Sequence, residues 1–213
     1  MNIQNLKITL KTELKYFTIK TLFIILICLI TPYIFTNLNF ENTNLEINNF
    51  TLNIIYTFSF SICIFQLMLD STTKDLLCKI NLFFSNFNIS LYYSLISKII
   101  ICIPISFLFF VCNILFYKIE LLQSYNILLI LLCFNICIYI SIIVPYFFDS
   151  NSMLFSVYIS MGVTIGLSII TIMLSYAITK IVISYILLII ILIIGIIILN
   201  RNIKSKRYII KFL

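Results

Sequence analysis

The side chains of this sequence that could bind a metal ion or form covalent bonds are its cysteines. There are seven of them, of which Cys78 lies in a polar stretch and the others lie in apolar runs. No two cysteines have the Cys-x-x-Cys spacing, and histidine, the most frequent metal ligand and general base, does not occur in the chain. We therefore interpret the cysteines as small apolar residues, and the sequence predicts no metal or cofactor.

The acidic residues give no sign of a catalytic or ion-coupling site. A carboxylate in the middle of a membrane span is usually functional, because burial of its charge is costly. The seven acidic residues all fall in segments that we place in loops or at membrane interfaces. They are Glu13, Glu41, Glu46, Asp70, Asp75, Glu120 and Asp149. The chain also lacks the GxxxxGK[ST] pattern of a P-loop, so no enzymatic activity is expected and ATP would have to be used by another subunit.

These residues are set in a chain that is far more apolar than a soluble protein. Hydrophobic residues make up 62% and charged residues 10% of its 213 positions, against roughly half and a quarter in soluble domains. We therefore expect an all-α, multi-pass protein of the plasma or inner membrane with a single transmembrane domain. Because the basic residues flank apolar runs, the net charge of +7 indicates contact with lipid headgroups and not with nucleic acid.

The lysine and arginine residues predict how the apolar runs are oriented. Most of the fourteen lie in three regions, namely before the first run, around the gap after the second, and after the last. Short cytoplasmic loops of membrane proteins are rich in Lys and Arg. Six crossings would place all three regions on one side, so we predict six transmembrane helices with both termini in the cytoplasm.

The lengths of the apolar runs give the positions of these spans, since about 20 residues of helix cross a bilayer. Residues 1–16 carry apolar and basic residues on neighbouring stripes, which predicts an amphipathic helix in the inner membrane surface. Residues 200–213 form a basic cytoplasmic tail. The predicted spans are residues 16–35, 50–69, 95–117, 127–148, 153–176 and 181–199.

A second amphipathic segment lies between the second and third spans. Residues 70–73 offer side chains for a helix N-cap, and apolar residues then recur at helical spacing opposite charged ones. We expect a short helix on the cytoplasmic surface, whose apolar face suits a groove in a partner protein or the membrane surface. Its predicted contact residues are Lys74, Asp75, Leu76, Leu77, Lys79, Ile80, Phe83 and Phe84.

A pair of glycines in the fifth span indicates close helix packing. Gly162 and Gly166 are four residues apart in a chain that has only three glycines. Small residues at this spacing let another helix approach closely. We therefore predict a packing role for both, with exposure to lipid as the alternative.

The layout of these segments resembles the small permease subunits of ABC exporters of the second type. The shared features are the amphipathic N-terminal helix, six spans, and an inner helix between the second and third. That family often has an acidic residue closing the second span and a lysine opening the third, and Asp70 and Lys98 stand at these places here. The short connection near Lys180 leaves little room for the re-entrant helices that the family usually has between the last two spans.

The resemblance implies a function and a set of partners. In that family the inner helix docks into a separate ABC nucleotide-binding subunit, which hydrolyses ATP. The permease would act as a homodimer or with a similar second permease. It would export an amphipathic or hydrophobic molecule, such as a peptide, a lipid or a drug.

Two alternatives remain open at this point. The membrane subunit of the haem exporter of cytochrome c maturation has a similar length and number of spans, but its usual pattern after the second span is replaced here by residues 70–75. A structural subunit of a membrane complex, without transport activity, would also be small and apolar. Such a subunit would have no need of an amphipathic helix between the second and third spans.

Overall fold

The computed structural model is helical throughout the residues that the structure describes, which are 3–15, 19–38, 49–77, 91–112, 123–147, 153–175 and 178–204. The all-α class is therefore confirmed. Helix α1 corresponds to the predicted N-terminal amphipathic helix, and α2 to α7 follow the order of the predicted spans. The helices are α1 (Ile3–Lys15), α2 (Ile19–Leu38), α3 (Asn49–Leu77), α4 (Leu91–Cys112), α5 (Gln123–Phe147), α6 (Met153–Ser175) and α7 (Ile178–Lys204).

Among the described residues, four helices are long and apolar enough to cross a bilayer by length and composition. Their apolar stretches lie in α3 to α6, at Ile54–Thr73, Tyr93–Cys112, Leu128–Pro145 and Phe155–Ile172. The apolar stretches in α2 and α7, Thr21–Ile34 and Tyr185–Arg201, are shorter. The chain is thus a membrane protein by this measure, while six spans and cytoplasmic termini stay predictions.

Helix α3 extends well beyond the predicted second span. It runs unbroken to Leu77, so the prediction of a helix N-cap at residues 70–73 was wrong. The Thr73 hydroxyl donates to the Leu69 carbonyl oxygen at 2.7 Å, a bond that hydroxyl side chains make in helix interiors and that lets polar residues continue a helix. The predicted partner-binding residues Lys74, Asp75, Leu76 and Leu77 therefore form the end of α3.

Helix α5 forms the centre of the bundle. It packs against α3, α4, α6 and α7, while α2 packs on α3 and α1 on α4. Residues four apart share one face of a helix, and such a row on α5 is no more than 1% exposed. The row consists of Leu128, Leu132, Ile136, Ile140 and Val144.

Two polar side chains of α5 bind the backbone of α7. Asn135 is fully buried, and its Nδ2 donates to the carbonyl oxygens of Leu131, at 2.9 Å, and Leu188, at 3.2 Å. One turn further on, the Tyr139 hydroxyl donates to the Ile191 carbonyl oxygen at 3.1 Å. Within the described part of the chain, Oδ1 of Asn135 has no hydrogen-bond partner.

The glycine that lies against a neighbouring helix is Gly195 of α7. A Cβ atom there would be 3.0 Å from Cγ2 of Ile138 and 3.3 Å from Cε2 of Tyr139, both on α5. A Cβ atom at Gly162 or Gly166 would meet nothing within 4 Å. The predicted glycine pair therefore makes no close contact with the described residues of its own chain, and its packing role is left to contacts with another molecule.

We expect Gly195→Leu to destabilise the folded bundle by about 1–3 kcal/mol, because the new side chain would overlap Ile138 and Tyr139. The free energy of unfolding is measured by titrating the protein in micelles with denaturant and following the loss of the helical circular dichroism signal. Gly166→Leu is the matched control, since the same change there meets open space and should leave monomer stability unchanged. Wild-type stability of Gly195→Leu would contradict the close packing of α7 on α5.

Candidate functional site

Helix α1 contacts the rest of the bundle through polar side chains. Thr9 is fully buried and Glu13 is 3% exposed, and a separation of four residues puts both on one face of the helix. The Thr9 hydroxyl donates to the Leu6 carbonyl oxygen of its own helix at 3.0 Å and lies 3.3 Å from the Tyr93 carbonyl oxygen of α4. Ile3 and Leu14 of the predicted apolar stripe are 77% and 53% exposed. That stripe is thus available to lipid, as the sequence predicts for an interfacial helix.

Glu13 forms a buried ion pair with Lys98 of α4. Lys98 Nζ lies 3.7 Å from Glu13 Oε1, and the Glu13 and Lys98 side chains are 2% and 6% exposed. The Ser71 hydroxyl donates to Oε2 of Glu13 at 2.5 Å, and the Ser94 hydroxyl donates to Oε1 at 3.2 Å. Lys98 Nζ also donates to Oγ1 of Thr72 at 3.5 Å. Both charges therefore have the partners that burial in an apolar bundle requires.

We call Glu13, Ser71, Thr72, Ser94 and Lys98 the Glu13–Lys98 cluster. Its members come from α1, from the last two turns of α3 and from the first turns of α4. The end of α3 and the start of α4 are the two stems of the segment at residues 78–90. The cluster therefore fastens the amphipathic N-terminal helix to both stems at one point.

A small cavity of about 30 Å³, which we call the small polar cavity for the charged side chains in its partly apolar lining, lies beside this cluster. Glu13, Ser71 and Lys98 line it, together with Asp70 and Cys102. Since a water molecule needs roughly 10–15 Å³ of such space, the cavity has room for one or two waters or for an ion. Two carboxylates face a single ammonium group here, which favours a cation over an anion.

A larger, apolar cavity of about 430 Å³ lies between α3, α4 and α5. Its walls include Tyr56 and Phe60 of α3 and Leu129 of α5. Ile103 and Phe107 of α4 also line it and are 52% and 63% exposed, so the cavity opens at the surface of the bundle. Its size and lining are those of sites for apolar ligands, which are typically about 300–1,000 Å³.

Aromatic packing fixes the α3 wall of this apolar cavity. The Tyr56 hydroxyl donates to the Phe109 carbonyl oxygen at 2.7 Å, so its polar atom is satisfied. The rings of Phe60 and Phe109 meet edge to face, with centroids 5.4 Å apart. Edge-to-face pairs are the favoured geometry of aromatic rings. The cavity is therefore bounded on this side by side chains with defined positions.

The structure places the residues that the sequence singled out in different parts of the chain. Lys98 lies at the start of α4, as predicted, and belongs to the Glu13–Lys98 cluster. Lys74, Asp75, Leu76 and Leu77 lie in the last turns of α3, one turn beyond the cluster, and their side chains are outside those described. Lys79, Ile80, Phe83 and Phe84 lie outside the described residues altogether.

Glu13 is the functional residue that sequence reasoning missed. We expected it at the membrane interface, whereas the structure buries it against α3 and α4. The sequence carries one signal, because Glu13 is the single acidic residue of a helix that otherwise has only basic charges. It also follows Thr9 by one turn, so a polar pair interrupts the amphipathic pattern. Such a pair indicates a helix that docks through hydrogen bonds.

Comparisons with protein-family models, with curated proteins and with solved structures give no significant match to this chain. The resemblance to exporter permeases therefore depends on the layout of helices alone. Any functional conclusion has to be drawn from the Glu13–Lys98 cluster and the two cavities.

Loss of one partner of the buried ion pair should destabilise the docked form of α1. We expect Glu13→Gln, or Lys98→Met, to cost about 3–5 kcal/mol, because each leaves the opposite charge buried without its partner. The double variant should cost less than the sum of the two single changes, because it removes both charges. The unfolding free energies of the wild type, both single variants and the double variant, measured in micelles, give this double-mutant cycle.

Lys11→Met is the matched control for Lys98→Met. Lys11 lies on the exposed side of α1, so its loss should change stability little. Strict additivity of the Glu13 and Lys98 changes would show that the two side chains do not interact.

Proposed function

We propose that this chain is the membrane-spanning permease subunit of an ATP-driven exporter in the plasma or inner membrane. The observation that carries the proposal is the Glu13–Lys98 cluster, which ties α1 to both stems of the segment at residues 78–90. The residues predicted to dock an ATPase subunit, Lys74 to Phe84, comprise the end of α3 and the start of that segment. In this proposal, a displacement of the end of α3 by the docked subunit is transmitted through the cluster to α1.

The stems connect this point to the apolar cavity. Helices α3 and α4 each form one wall of the cavity, and each also packs against α5. A relative movement of the two stems would therefore change the shape or the opening of the cavity, with α5 as the fixed wall. Coupling of this kind needs an element with two discrete arrangements. The buried ion pair of Glu13 and Lys98 is proposed as this element. It is stable when the two side chains are in contact, and an arrangement that leaves either charge buried without a partner is costly.

The cavity indicates the class of substrate. None of the residues that line it is charged, and most are aromatic or aliphatic. Its volume of about 430 Å³ suits an acyl chain, an apolar side-chain cluster or a small drug-like molecule. The proposed cargo is therefore amphipathic or hydrophobic, with its apolar part in this cavity.

The proposal requires two kinds of partner. ATP hydrolysis belongs to a separate ABC nucleotide-binding subunit, because the chain has no P-loop sequence. A second permease, either the same chain or a similar one, would complete the transporter. The face of α6 with Gly162 and Gly166 is available for it, since both positions have open space beside the backbone.

The predicted topology can be tested with a membrane-impermeant thiol reagent on intact cells. We expect labelling of a cysteine introduced at Asn44, which lies in the predicted outer loop. Native Cys78 and a cysteine introduced at Asn202 should react only after the membrane is permeabilised, because basic segments stay in the cytoplasm. Labelling at Asn202 in intact cells would imply an odd number of crossings and would contradict the exporter layout.

The docking role can be tested at the end of α3. We expect Asp75→Lys to release the ATPase subunit during purification from native membranes and to abolish transport, while membrane insertion stays intact. A reversed charge at a protein interface can cost several kcal/mol, whereas added positive charge would favour a helix that merely lies on anionic lipid. Leu77→Asp should have the same effect through the apolar side of the segment.

Asp149→Lys is the matched control, because it makes the same change in another loop that is predicted to be cytoplasmic. It should leave the complex intact. A fully active ATPase complex with both Asp75→Lys and Leu77→Asp would eliminate the docking role.

A further inference from the structure

Three buried thiols converge in the core of the bundle. The Sγ atoms of Cys102, Cys133 and Cys137 all lie within 4.8 Å of one another. Cys133 and Cys137 are one turn apart on α5, and Cys102 faces them from α4. Each is no more than 5% exposed, and all three are free thiols. The apolar character of these cysteines explains their burial but not their convergence.

The spacing of the three sulfurs matches that of metal ligands. A thiolate binds a metal ion such as zinc at about 2.3 Å, so three thiolates in a plane around one ion are about 4 Å apart. Movement of the sulfurs by under about 1 Å, within the range of side-chain rotation, gives that arrangement. Among the described residues, no further cysteine, aspartate or glutamate belongs to this group.

The number and type of ligands favour one class of metal. Zinc sites in proteins have four ligands or keep one position open to water. Calcium and magnesium require oxygen ligands. Three sulfur atoms in a largely apolar core suit a soft monovalent ion, for which thiolates and thioethers are the preferred ligands. The chemistry therefore indicates Cu(I).

A second, independent observation is a route to this site. Cys102 lines the small polar cavity beside the Glu13–Lys98 cluster, and so does Met68. The carboxylates of Glu13 and Asp70 line the same cavity. A cation attracted by the carboxylates would meet two softer sulfur ligands in the same cavity, the Met68 thioether and the Cys102 thiol.

The surroundings of the thiols fit a bound metal. The Ser106 hydroxyl donates to the Cys102 carbonyl oxygen at 2.9 Å and lies 3.7 Å from Sγ of Cys133, so rotation of its O–H bond would let it donate to a thiolate ligand there. Lys98 precedes Cys102 by one turn on α4 and lines the same cavity. Its ammonium group is already paired with Glu13.

We propose that Cys102, Cys133 and Cys137 form a Cu(I) site, reached through the small polar cavity. Binding is an exchange of ligands without electron transfer. Each coordinating thiol releases its proton to solvent and forms one copper–sulfur bond, so three thiolates around Cu(I) give a complex with net charge −2. The site does not depend on the proposed transport function.

The test uses the purified full-length chain in detergent, without any ATPase subunit, reduced and kept free of oxygen. Titration with Cu(I) against a chromophoric Cu(I) chelator should show one tightly bound equivalent. X-ray absorption at the copper edge should show three sulfur neighbours at about 2.2–2.3 Å. Cys102→Ser, Cys133→Ser and Cys137→Ser should each weaken binding by more than about 100-fold, since even the loss of an outer partner of a metal ligand costs 10–100-fold.

Cys112→Ser is the matched control, because Cys112 lies on α4 outside the cluster and is a free thiol. It should bind Cu(I) like the wild type. Circular dichroism and gel filtration of each copper-free variant separate loss of a ligand from loss of fold. If the serine variants do not fold, the X-ray absorption spectrum of the copper-loaded wild type decides whether the metal is bound by three sulfur atoms.

Three results would overturn the proposal. The first is a wild-type chain that does not compete with the chelator for Cu(I). The second is a bound copper whose neighbours are mainly nitrogen or oxygen. The third is binding that survives all three serine changes but is lost in a Cys28→Ser/Cys63→Ser double variant, which would place the metal at the neighbouring thiol pair formed by Cys28 and Cys63.

Discussion

The burial of Glu13 is the constraint on which the arrangement of α1, α3 and α4 depends. An ionised carboxylate in an apolar bundle is stable only with a counter-charge and with hydrogen bonds to its oxygens. Lys98 supplies the charge, and Ser71 and Ser94 supply the bonds. Because these partners come from different helices, the charge can be satisfied only when all three helices meet. The joint is therefore specified by electrostatics, whereas apolar contacts alone would allow many similar packings.

The helices themselves were predictable from the sequence, since long apolar runs between polar gaps have to form helices in a bilayer. The boundary at the end of α3 was not. Ser71, Thr72 and Thr73 were interpreted as helix starters, but hydroxyl groups also bond backward within a helix, as Thr73 does. Local composition is the same in both cases. Contacts with neighbouring helices decide whether such residues start a helix or continue one. The residue pattern of a single segment does not show these contacts.

Contacts between distant segments account for what the sequence could not give. Ser71 and Ser94 follow Glu13 by 58 and 81 residues, so no periodic pattern links them. The same holds for the thiols, because the apolar character of Cys102 and Cys133 predicts burial without predicting that they meet. For the glycines, spacing drew attention to Gly162 and Gly166, whereas the isolated Gly195 makes the close contact with α5. The small size of a glycine affects helix packing only where another helix lies opposite it.

The hydrogen bonds from Asn135 and Tyr139 to α7 have a consequence for the assembly of the protein. Helix α7 is rich in isoleucine and exposes much of it, so its apolar surface gives little preference for one rotation about its axis over another. The carbonyl oxygens of Leu188 and Ile191 each accept a bond from α5, and such bonds between membrane helices contribute about 1 kcal/mol each. They set both the rotation and the height of α7. Helix α7 follows α5 in the chain, so the side chains of α5 that fix its position are already in place when it docks.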